Sequence, residues 1–256
     1  MIDVYKIRVS KEKLAAMPAD VRALFILLGY AANQLNILSK LTLFSLNNLT
    51  EEEPEATIVG AQSQMLLRMT TGIIQEIWTK LIQARVLRSP TARQYVGKLD
   101  WDGDEALKKL NKIFGGSNII STIRNNYAFH HPYDADIEAA FQRASSNDQL
   151  NEQWVWYFSH SNFNSFYVAS DLIMMTGIMN AIGETDMLVG QQRLMDDVTP
   201  AMNELATLIM ALTAAIWRKH FGDELEAEVS AKITDAPGLF EFVLPFFADV
   251  PEKPPT

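Results

Sequence analysis

The apolar residues Met195, Val198, Met202, Leu205, Ile209, Leu212 and Ile216 recur at alternating intervals of three and four. This spacing lays one apolar seam along a single long helix, and such a seam has to be covered by another helical surface. The chain is therefore expected to fold as a bundle or a coiled-coil-like pairing, with the seam either internal or shared by two subunits. Earlier segments agree. Ser10 suits the cap of a short first helix, and Pro18 with Asp20 starts a second. There Phe25, Leu28, Ala32, Leu35 and Leu38 form a stripe that ends near Asn47-Asn48. Glu51-Glu-Glu-Pro54 turns into a third helix, carried to about Leu87 by Met65, Met69, Ile73, Ile77 and Leu81, with Gly72 in its middle.

Residues 89–103, containing Pro90, Gly97 and Gly103, read as a long connection. Short helices are expected over 104–114 and 117–130, divided by Gly115-Gly116 with Ser117 as cap, and again over 134–144 and 165–182. The period changes at Trp154, Trp156 and Phe158, which alternate with Val155 and Tyr157 as in a strand. Ser161-Asn-Phe-Asn164 turns it back. These elements predict an all-α helical bundle with a small β-hairpin insertion. Residues 1–222 form one helical-bundle domain, followed over 223–256 by an acidic, proline-containing C-terminal extension.

Composition removes several chemistries. The 256 residues include no cysteine, which excludes disulfides, thiolate nucleophiles and cysteine-based metal centres. No Glu-x-x-His or paired-histidine zinc spacing occurs. Asp100-Trp-Asp-Gly-Asp104 departs from a calcium loop in the position of its glycine and reads as a helix-start turn. Gly115-Gly-Ser117 lacks the lysine and spacing of a phosphate-binding loop. The N-terminus has no secretory apolar region, and the uncharged stretches are short or interrupted by Asn33, Gln34 and Asn36. A soluble, cytoplasmic protein with no membrane partner is expected, and Asn48-Leu-Thr50 is given no weight as a glycosylation site.

The net charge of -9 argues against a general nucleic-acid coat, but it is unevenly spread. Residues 1–67 carry six basic and seven acidic side chains, 68–124 ten and five, and 125–256 six and nineteen. The basic segment, with Lys108, Lys109 and Lys112, ends at Arg124, where a polyanion would approach. Arg124 opens Arg-Asn-Asn-Tyr-Ala-Phe-His-His-Pro-Tyr133, which holds two of the four histidines. An arginine fork suits a phosphate, Asn125 can orient it, and a histidine exchanges protons near neutral pH. Those groups suffice for RNA cleavage without metal or cofactor: histidine takes the 2'-hydroxyl proton, the oxygen attacks its own phosphate, and arginine stabilises the growing charge.

Ile123-Arg124-Asn125 with Ala128-Phe129-His130 resembles the HEPN superfamily motif of arginine, a polar residue and a following histidine, with one extra residue. The resemblance implies a helical bundle that dimerises to bring two motifs into one cleft. It also implies metal-independent endoribonuclease activity, often in phage defence or toxin–antitoxin systems, although some members only bind nucleotides or RNA. The histidine is left open between two registers. On a straight helix His130 lies about 9 Å along the axis from Arg124 and on another face, while His131 lies about 10.5 Å along on the same face. His131 precedes Pro132, which opposes helix there. His131-Pro-Tyr133 also resembles the histidine, any residue, tyrosine ending of HEPN toxins whose tyrosine is adenylylated, which implies a regulatory site at Tyr133 and a modifying antitoxin. The competing reading is an ordinary helix end, with basic side chains at its negative pole and proline beyond. Two non-catalytic functions stand beside the nuclease. One is a binding or scaffold protein using its acidic surface and the Met195–Ile216 seam. The other is a ligand sensor with a closed apolar pocket lined by residues such as Met174 and Trp154.

Overall fold

Local start signals act where the sequence puts them. In a computed structural model, which describes residues 2–47, 52–222 and 227–249, Ser10 Oγ accepts from Lys13 N at 3.1 Å and caps α1 (Lys11–Ala16). Arg22 then ties α1 to α2 (Ala19–Leu46), donating to the carbonyls of Ala15 at 3.0 Å and Met17 at 3.3 Å. Asn48-Leu-Thr50, Glu51 and Pro254-Pro255 lie outside the described residues.

The described chain is mostly helical, as expected. After α2 come α3 (Glu55–Glu76), continuing as a π-helix over Ile77–Leu87, then α4 (Pro90–Val96) and α5 (Trp101–Phe114). They are followed by α6 (Ile119–Ile123), α7 (Asp134–Ser145), α8 (Val168–Ile182) and α9 (Met187–Phe221). Helix α4 replaces part of the expected connection: Ser89 Oγ accepts from Ala92 N, and Pro90 stands in the first turn, where its missing N–H costs nothing. Asp100 caps α5 through Gly103 N at 2.9 Å, so the carboxylate-rich turn does start a helix.

One strand opens the described chain and the other follows α9. β1 (Ile2–Ile7) pairs antiparallel with β2 (Ala227–Ile233), aligning Ile2 with Ile233 and Val4 with Ala231. The expected hairpin closes only as a single bridge, Tyr157 with Phe166. Its aromatic side chains are divided: Trp154 packs inward, edge-on to Phe141 at 5.6 Å, whereas Trp156 and Phe158 are exposed.

The chain divides into two compact units, each built from three stretches. Met1–Ile37, Ile73–Asn118 and Val198–Gly238 make the first; Leu38–Gly72, Ile119–Asp197 and Leu239–Thr256 make the second. The segment expected as a C-terminal extension contributes its strand to the first unit and its residues from Leu239 onward to the second.

In the first unit, α2 buries Val21, Leu24, Leu28, Ala31 and Leu35, a stripe set beside the expected one. Phe25 instead joins Trp217 and Phe221 in an aromatic cluster, with ring centroids 6.4 and 5.8 Å away. Gly103 brings α5 against α9 so closely that a Cβ there would lie 2.5 Å from the Ala211 Cβ. Val198, Leu205, Ile209, Leu212 and Ile216 of the seam are all buried, and α9 runs through Pro200 to deliver them. The seam is therefore interior packing, and its apolar surface is already used.

The end of α9 holds a titratable contact, Tyr95 Oη with His220 Nε2 at 2.8 Å. Burial, with Lys219, lowers the imidazole pKa from its ordinary 6.5, while burial, with Asp20, raises that of the phenol. A depressed folded pKa means stability present above the unfolded value and lost as pH falls through the window below about 6.5. Thermal melts across that window should therefore show a falling melting temperature. Tyr95→Phe should remove about 1 kcal/mol at pH 8, where the neutral ring can accept the bond.

In the second unit α7 lies on α8 around Ala140, Ala144, Leu150, Leu172 and Ile173. Met174 and Trp154 pack against this cluster, so they fill a core and do not line the expected ligand pocket. Gly183, at φ +70°, ends α8 in the left-handed conformation that glycine adopts without strain. By length and composition alone, α2 and the Val189–Phe221 part of α9 could each cross a membrane, because the helices extend beyond the uncharged stretches counted in the sequence.

Candidate functional site

Helix α6 buries Ile120 and Ile123 completely, which sets the face that the following turn presents. The next five residues, Arg124–Ala128, form a π-turn, and Phe129 leaves helical geometry. Wider π-turns recur at functional sites because they re-aim side chains within a helix. Here two glycines make room for Tyr127, Ala128 and one edge of the otherwise exposed Phe129. A Cβ on Gly177 of α8 would lie 2.9 Å from the Tyr127 ring, and one on Gly72 of α3 would lie 2.7 Å from Phe129 and 2.8 Å from Ala128. Burial, then Asp136, raises the Tyr127 pKa. The segment is thus seated between α3 and α8 by Tyr127, Ala128 and Phe129. Gly177→Val is expected to cost about 1–3 kcal/mol by overpacking, read as a lower midpoint in urea unfolding.

The polar residues of the stretch flank these anchors on both sides. Arg124 is half-buried, and its Nη1 donates to Asn125 Oδ1 at 3.0 Å, while Asn125 itself is exposed. His130 and His131 are both exposed. Both follow the last helical residue, Ala128, so the expected helix over 117–130 is shorter at each end. The straight-helix comparison between the registers therefore does not apply, because neither histidine is on a helix. Tyr133 is 79% exposed and stands at the N-cap position of α7, with Pro132 before it.

The lysines expected to guide RNA belong to the first unit, whereas Arg124 and the histidines belong to the second. Lys108 Nζ bonds Glu105 at 2.7 Å and Lys109 Nζ bonds Glu204 at 2.5 Å, and these hydrogen bonds raise both lysine pKa values. Their charge is answered by neighbouring carboxylates; Lys112 is exposed. Among the described residues no group of three histidine, aspartate or glutamate side chains is placed to hold a metal ion.

A second polar feature was not singled out from the sequence. Arg68 of α3 and Asp171 of α8 form an ion pair with side chains only 7% and 10% exposed. Burial raises the Asp171 pKa, an effect that Arg68 partly reverses. In the sequence Arg68 stands between Leu67 and Met69, but its neighbours one turn away include Gln64 and Thr71, so no apolar face marked it as buried. Comparison of the chain with family models, curated proteins and solved structures finds no match.

Proposed function

We propose that the protein is a HEPN-like, metal-independent endoribonuclease acting as a cytoplasmic homodimer. The observation that carries this reading is the glycine-seated turn, where Arg124 and Asn125 are hydrogen-bonded and two exposed histidines follow at once. In the proposed reaction His130 or His131 removes the ribose 2'-hydroxyl proton, and the oxygen attacks the adjacent phosphorus. The bond from phosphorus to the 5'-oxygen breaks, and an imidazolium protonates that leaving oxygen. Arg124 neutralises charge on the phosphoryl oxygens, with Asn125 orienting its guanidinium.

Exposed catalytic histidines suit a site completed by a second copy, because a cleft between two chains excludes water that one surface cannot. Exposed Tyr133 is accessible to adenylylation by an antitoxin, which fits a role in phage defence or a toxin–antitoxin pair. The test is incubation of the purified chain with mixed RNA in chelator, comparing wild type with Arg124→Ala, His130→Ala and His131→Ala. Cleavage that persists unchanged in all three variants sinks the site, and none by wild type moves the protein to the non-catalytic binding class.

A further inference from the structure

The second unit contains a cavity of about 370 Å³, within the roughly 300–1,000 Å³ of small-molecule sites. None of Arg124, Asn125, His130 or His131 lines it. Leu172, Met175 and Met187 supply an apolar, polarisable wall, and exposed Gln153 brings the cavity to the surface.

The three hydroxyls of the lining have spent their donors. Ser45 Oγ donates to Thr42 O at 2.7 Å, Thr57 Oγ1 to Glu53 Oε1 at 2.6 Å, and Ser63 Oγ to Val59 O at 2.9 Å. A hydroxyl has one hydrogen, so each has spent its donor within the protein and offers a ligand only lone pairs. Gln64 is 9% exposed, and its buried Oε1 meets no donor of the protein. Asp171 adds a carboxylate. Arg68 holds Oδ1 but does not itself line the cavity, and Oδ2 is a second acceptor position. Gln153 and Gln191 add amides that can act in either sense.

We infer that this cavity binds a small organic amine, its N–H donors directed to Gln64 and Asp171 and its apolar body against Met175 and Met187. A carboxylate of the same shape meets lone pairs and like charge there. An alcohol can give only one donor and lies between the two.

Three probes on one skeleton test this by calorimetric titration of the full chain: 4-phenylbutylamine, 4-phenylbutan-1-ol and 4-phenylbutyrate. The amine is expected to bind saturably and at least tenfold more tightly than the carboxylate. Gln64→Leu, with Gln64→Met as a second choice should the first fail to fold, should weaken the amine at least tenfold. Met175→Trp should abolish binding by filling the space. Gly60→Phe is the second blocking variant, since a Cβ on Gly60 meets nothing within 4 Å. Both leave the net charge unchanged, so they separate cavity binding from attraction to an acidic surface. Equal or tighter binding of the carboxylate overturns the inference. So does the lack of saturable amine binding, or amine affinity unchanged in folded Gln64 variants or in the blocked variants.

Discussion

Arg124→Ala is expected to lower RNA cleavage in chelator by at least about hundredfold, the usual scale for losing a preorganised charge at the transition state. Arg124→Lys should fall between wild type and alanine, because an ammonium keeps the charge but loses the planar fork that can hold two phosphoryl oxygens. The histidines should behave unequally. Replacing the one that moves the proton costs about 10²- to 10⁴-fold, while replacing its neighbour costs little. Both side chains are exposed and outside the helix, so alanine at either position should leave the melting temperature nearly unchanged. Lost cleavage in a normally melting variant then belongs to chemistry and not to unfolding. Equal, small losses in both histidine variants would remove the assignment.

Much of the bundle was legible because helix periodicity and caps are local. Ser10, Asp100 and the Met195–Ile216 seam act as their spacing implies, and the seam's burial settles it as interior packing. Helix α4 was hidden because Pro90 reads as a breaker unless Ser89 is recognised as the cap before it. A short strand in the segment after Gly222 was legible, but its pairing with β1 was hidden for a different reason: the partner lies more than two hundred residues away, and no local pattern specifies such a pairing. The aromatic alternation at 154–158 has the period of a strand, but only Tyr157 finds a ladder partner, and Trp154 is drawn into the α7–α8 core.

At the candidate site, residue types were legible and geometry was not. Pro132 marks the end of helix, but the π-turn that ends it earlier depends on Tyr127 and Phe129 meeting Gly177 and Gly72. Those glycines look like defects in two helices when read alone. Their effect is to let the turn approach both helices, which makes Gly177→Val a test of the seat and Arg124→Ala a test of the chemistry.

The largest expected change in stability belongs to Arg68 and Asp171. Removing either partner leaves the other charge buried without its counter-ion, and Arg68→Met or Asp171→Leu alone should cost about 3–5 kcal/mol in urea unfolding. The double variant replaces the pair with apolar side chains and should recover most of that loss, giving a large coupling energy in the double-mutant cycle. Additive losses would show that the pair does not act as a unit. The pH dependence has a definite sign. Burial, against the opposing pull of Arg68, leaves the Asp171 pKa raised, so its contribution is present at low pH and is lost as pH rises through the ordinary carboxylate range to the raised folded value. The double variant should lack that part of the wild-type slope. It should also separate stability from binding: Asp171 lines the cavity whereas Arg68 does not, so a well-folded double variant keeps the apolar wall and loses its preference for the amine.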